Sequence, residues 1–80
     1  MLRQILIPVD ENDVPAARDR LSREVEQLEL TATRGIKIHY PSRFADELKI
    51  GVVGNAGRYQ GHPAFVRDDV PYTILIEHED

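Results

Sequence analysis

The chain has no cysteine and no tryptophan, and it holds one methionine, three tyrosines and two phenylalanines in eighty residues. Without cysteine there is neither a disulfide framework nor a thiolate metal site, so stability must come from packing, to which self-association can add. Long apolar runs are missing as well. Nothing approaches the roughly 20 residues that span a bilayer, and the short apolar run before Pro8 does not make a secretory h-region. These absences lead to the expectation of a cytoplasmic protein with no membrane partner.

Positive charge is also in short supply. Ten Lys and Arg stand against fourteen Asp and Glu, for a net charge of −4. A groove that follows a phosphate backbone needs the opposite balance. Direct nucleic-acid binding is therefore disfavoured, and the electrostatically easier partner is a larger protein or protein–nucleic-acid complex with a basic surface. Apolar residues make up 41% and charged residues 30%, the balance of a folded chain. Residues 1–80 make one small domain, which buries about 60 to 65% of its unfolded surface and has no room for a second core.

One stretch organises what is present. Val14, Ala17, Leu21, Val25 and Leu28 recur at steps of three and four, which draws an apolar stripe down a helix from Val14 to Leu28. Asn12 or Asp13 can cap its start, Pro15 falls where no intrahelical donor is needed, and Asp10, Glu11 and Asp13 suit the positive end of the helix dipole. A single helix of this length is marginal in water, so a sheet is expected beneath it.

Four alternating runs supply the strands: Ile5, Ile7 and Val9; Ile36, Ile38 and Tyr40; Leu48, Ile50 and Val52; and Val70, Tyr72, Ile74 and Ile76. Residues 42–47 read as a loop or one helical turn with Phe44 tucked inward. Residues 55–63 read as a loop, with a short strand conceivable at Ala64 to Val66, and His78, Glu79 and Asp80 read as an exposed acidic C-terminal tail. The resulting order, β-α-β-β-β, predicts an α+β fold: one amphipathic helix on a mixed, mostly antiparallel sheet of about four strands. Leu6, Val53, Leu75 and Phe65 then fall on a face with no second helix, which points to a homodimer or to a docked partner.

Chemistry is sparsely signalled. Gly51, Gly54 and Gly57 have the spacing of a glycine-rich phosphate loop followed by Arg58, yet Gly61 and Pro63 prevent the helix N-terminus that such a loop needs, so a turn explains them more simply. The alternative function is a nucleotide- or RNA-binding module over Gly54 to Tyr59, with Gly54 and Gly57 near phosphate, Arg58 paired to it and Tyr59 stacked on a base. Here Ile5-Leu6-Ile7-Pro8-Val9-Asp10 resembles the opening strand of universal stress proteins, and Gly51-Val52-Val53-Gly54-Asn55-Ala56-Gly57-Arg58 looks like their nucleotide-phosphate loop. The resemblance implies ATP binding with Asp10 near the base. That family is nearly twice this length, with two strand and helix units between those motifs for which this chain has no residues, so the resemblance is not adopted.

His39, His62 and His78 lack ligand spacing and read as solvated, and no metal or cofactor is expected. Asp10, Glu11 and Asp13 are accounted for by a helix start without an ion. No Ser or Thr sits in a nucleophile elbow, and one helix on a few short strands offers little concavity, so an enzyme is not expected. Surface remains. Asp10, Glu11, Asp68, Asp69, Glu77 and Glu79 are the candidate partner-binding residues, and the first and last clusters share a pole if the first and last strands run parallel. The expectation is a non-enzymatic interaction domain that binds and modulates, as an inhibitor, a larger partner through this acidic pole or the uncovered sheet face. In size and charge, though in no motif, it has the general profile of phage-encoded inhibitors such as anti-CRISPR proteins. A homo-oligomeric structural subunit is the third reading.

Overall fold

The apolar stripe forms α1, Val14–Leu30, and the residues it buries are Val14, Ala17, Leu21, Val25 and Leu28. The computed structural model describes residues 1–53 and 56–79. Asp13 stands at the N-cap without a side-chain capping bond, and Pro15 lies in the first turn where its missing donor costs nothing. The turn before the helix is instead shaped by Asp10, whose Oδ1 accepts the Asn12 N–H at 2.9 Å.

Around α1 run β1 (Leu2–Pro8), β2 (Arg34–Tyr40), β3 (Gly51–Val53), β4 (Ala56–Tyr59), β5 (His62–Val66) and β6 (Thr73–Glu79), with one 3-10 turn at Ser42–Phe44. They make a single sheet in the order β1-β6-β2-β5-β4-β3. Four neighbouring pairs are antiparallel and one, β2 with β5, is parallel. The fold is the expected α+β arrangement of one helix on a mixed, mostly antiparallel sheet, with more strands than the four legible alternations supply. β1 and β2 are both antiparallel to β6, which lies between them. They are therefore parallel to each other, and α1 is the crossover between them.

β4 and the first two residues of β5 fall in the segment expected to be a loop, and the short strand read at Ala64 to Val66 is the rest of β5. β4 and β5 form a tight hairpin whose turn is Gln60 and Gly61, at φ 49° and 83°. Positive φ at both central residues matches the natural twist of a hairpin, and a glycine in the second place makes it inexpensive. The third alternating run is corrected as well. Leu48 and Ile50 are buried, but they belong to a chain of turns in which the Leu48 N–H donates to Phe44 O and the Ile50 N–H to Ala45 O. Lys49, at φ 58°, redirects the backbone, and pairing begins only at Gly51. At the other end, His78 and Glu79 are not a tail: they belong to β6, in register with Arg3 and Leu2. Asp80 lies outside the described residues.

The core is the space between α1 and one sheet face. Ile7, Ile38, Ile74 and Ile76 have no exposed surface, and Leu21 and Val25 close over them from the helix. Phe44 is tucked beneath the 3-10 turn, as expected. Gly57 is there for space: a Cβ at this position would lie 2.8 Å from the Ala64 carbonyl oxygen and 3.2 Å from the Tyr40 hydroxyl.

Candidate functional site

Strand alternation sends Ile5, Ile7, Ile74 and Ile76 toward the helix and Gln4, Leu6, Leu75 and Glu77 the other way. No helix covers that second face among the described residues. Following the register across it, Leu6 stands beside Leu75, Leu75 beside His39, and His39 beside Phe65, so a row of three apolar side chains and one histidine crosses β1, β6, β2 and β5. Leu6 is 60% and Phe65 46% exposed, whereas Leu75 between them is buried. The His39 and Phe65 rings are 5.7 Å apart, and His39 Nε2 lies 3.0 Å from Glu77 Oε1. Beside the row, Leu6 and Leu75 floor a hollow of about 250 Å³ whose rim includes Gln4, Arg67, Val70 and Thr73. Leu6, Leu75 and Phe65 are the residues expected on this face. The side chain of Val53 lies outside the described set.

The acidic residues are not gathered as the parallel-strand supposition requires. β1 and β6 are antiparallel, with Pro8 opposite Thr73 and Leu2 opposite Glu79, so Asp10 and Glu11 lie at one end of the sheet and Glu79 at the other. Asp68 and Asp69 join the first pair, because the β5–β6 loop returns to the end where β1 finishes. At this pole most of the carboxylates are engaged in holding loops. Asp68 accepts the Ser42 backbone N–H at 2.8 Å and its hydroxyl at 2.9 Å, which fastens the 3-10 turn to the loop before β6. Asp69 pairs with Arg67 at 3.2 Å. Glu11 lies 3.7 Å from Arg43, whose guanidinium stands between the Phe44 and Tyr72 rings and donates to the Tyr72 hydroxyl at 2.8 Å. Glu77 faces His39 on the open face.

The residues of the alternative nucleotide site are not assembled either. Gly54 lies outside the described residues. Arg58 and Tyr59 are consecutive in β4 and so point to opposite faces: Arg58 is exposed on the uncovered side, while Tyr59 is buried, 6% exposed, against α1. Burial pushes the Tyr59 phenol above its ordinary value, opposed in part by a hydrogen bond with Ser22. A shallow groove of about 320 Å³ runs beside it, between Arg18 and Ser22 of the helix and Lys49 and Gln60 of the loops. Its polar groups are tied to each other, since Gln60 donates to Ser22 Oγ and the Ser22 hydroxyl reaches Glu26.

The histidines differ from the solvated state expected of them. His39 sits against Glu77, His62 is 2.7 Å from Glu29 of the helix, and His78 is a buried residue of β6. The alternation of Ile74, Ile76 and His78 already carried the signal for the last of these. Among the described residues no group of three or more His, Asp or Glu is placed to hold a metal ion, and no helix is long and apolar enough to cross a membrane.

The fold and this face define a class, an α+β domain in which, among the described residues, one α-helix covers one face of the sheet and none covers the other. Set beside known proteins, the chain matches no family model, no curated protein and no solved structure.

Proposed function

We propose that this chain is a non-enzymatic interaction domain that binds a larger protein partner, and thereby modulates it, through the uncovered face of its sheet. The observation that carries this reading is the row Leu6, Leu75, His39 and Phe65, three apolar side chains with a histidine held against Glu77, open to the outside at both ends. A hollow floored by Leu75 suits a single apolar anchor from the partner, the kind of contact that dominates protein interfaces, and the polar rim suits orientation rather than affinity. The face is preferred to the acidic pole because Glu11, Asp68 and Asp69 already serve loop geometry there.

The test is affinity capture from the encoding organism, comparing the wild-type chain with the double variant Leu6→Asp, Phe65→Asp and with a helix-face control, Arg20→Glu, Arg23→Glu. The reading expects a defined protein partner that the control retains and the face variant loses by tenfold or more. Retention by the face variant, with loss on reversing Asp10, Glu11 and Asp69, would move the site to the pole.

A further inference from the structure

The outer edge of β1 is the last strand boundary of the sheet on that side, since the order begins with β1. Its hydrogen-bonding phase can be read. The Val9 N–H donates to Tyr72 O at 2.8 Å, which continues the β1–β6 register by one residue. Antiparallel pairs alternate between bonded and non-bonded, so the bonded ones are Val9 with Tyr72, Ile7 with Ile74, Ile5 with Ile76 and Arg3 with His78. The N–H and C=O groups of Leu2, Gln4 and Leu6 therefore point outward, away from β6. The side chains of the same three residues stand on the uncovered face, and all three are exposed.

The devices that normally blunt such an edge are missing along this row. Leu2, Gln4 and Leu6 are uncharged, the seven pairs of β1 with β6 run without a bulge, and among the described residues no further strand pairs with the edge. Only Pro8, which has no N–H to give, ends the row.

We propose that β1 pairs with β1 of a second copy of this chain, antiparallel about a two-fold axis at Gln4, to join two sheets into one. The sequence selects this register among its neighbours. An axis at Arg3 sets Arg3 directly against Arg3 of the second copy, a like-charge pair. An axis at Ile5 sends Leu2 to Pro8, where one donor is missing. An axis at Gln4 matches Leu2 with Leu6, Gln4 with Gln4 and Leu6 with Leu2, and each of these three pairs can exchange two backbone bonds. It also brings Leu2 (58% exposed) and Leu6 (60% exposed) into cross-strand contact. Arg3 is the one charged side chain in residues 1–9, and in this register it stands opposite Ile5 of the second copy, with that copy's Arg3 a diagonal neighbour and not a direct partner. The pairing is isologous and closed, so it stops at a dimer. It concerns the edge of β1 and stands whether or not the uncovered face binds a larger partner.

The absence of native cysteine makes a direct test possible. Across the axis the two Gln4 Cα atoms would be about 5.5 Å apart, within reach of a disulfide. The two Leu6 Cα atoms would be separated by about four residues of strand, on the order of 13 Å. Gln4→Cys should therefore cross-link under mild oxidation at least tenfold faster than Leu6→Cys. In sizing by light scattering the wild-type chain should pass from monomer to dimer with concentration, and Gln4→Lys, which sets two ammonium groups against each other, should raise the dissociation constant tenfold or more with an unchanged Tm for the monomer. Equal cross-linking of the two cysteine variants, a wild-type monomer at every concentration, or a dimer indifferent to Gln4→Lys would each overturn the proposal.

Discussion

The two faces of the one sheet are made from the same strands and differ in what lies against them. On the helix side Ile7, Ile38, Ile74 and Ile76 are fully buried, and the stripe of α1 is their complement. On the other side Leu6 and Phe65 stand largely in the open, although their neighbour Leu75 is 4% exposed. Leu75 stands beside Leu6 and His39 in the register, and among the described residues no helix lies over it. An apolar residue can thus be buried on either face, but only the helix side is closed from above. The helix side holds the closed core, and the other keeps apolar surface in the open.

The largest effect that separates the faces should come from deleting side chains on each. Ile38→Ala removes a wholly enclosed group and should cost about 2–5 kcal/mol, which in a domain of this size is enough to lower the Tm by about 10 °C or more. Leu75→Ala, where the surroundings are open and can close in, should cost about 1.5 kcal/mol. Chemical denaturation of the two variants measures the difference, and equal losses would mean that the uncovered face is as closed as the other. Next in size is Gly57→Ala on the helix side. The added Cβ meets a backbone oxygen that cannot give way, so a loss of about 1–3 kcal/mol is expected in the same assay.

Which of these features were legible in the sequence follows from how locally each is encoded. The helix was, because its five buried residues lie within fifteen positions of one another at a constant angular step. β1, β2 and the middle of β6 were, because seven-residue strands leave room for alternation to show, although Val70 and Tyr72 of the last run lie in the turn before β6 and His78 and Glu79 extend it. The β4–β5 hairpin was not, since four- and five-residue strands containing Gly57 and Pro63 carry too few alternating side chains, and a Gln60–Gly61 turn is a weaker cue than Asn-Gly. The uncovered face was anticipated from Leu6, Leu75 and Phe65. The dispersal of the acidic residues was not, because it depends on β6 inserting between β1 and β2, a long-range choice that no local pattern records. Nor do acidic residues announce their partners: Asp68 is tied to Ser42 across twenty-six positions.

The smallest expected effect probes the helix side with charge in place of volume. Tyr59 is buried against α1, and that burial raises its phenol above the ordinary value of 10.0 despite the opposing hydrogen bond with Ser22. In the unfolded chain the phenol ionises near that ordinary value, so above it the folded state holds a proton that the unfolded state has released. The contribution is fully present below pH 10 and is lost as the pH rises through the folded value. Tyr59→Phe removes this dependence. At neutral pH the variant should lose about 1 kcal/mol with the Ser22 hydrogen bond, and the gap to the wild type should narrow in alkali. Denaturation midpoints for both chains on either side of about pH 10 decide it. A constant gap would show that the phenol ionises alike in both states, and therefore that the cover over Tyr59 admits water as freely as the uncovered face does.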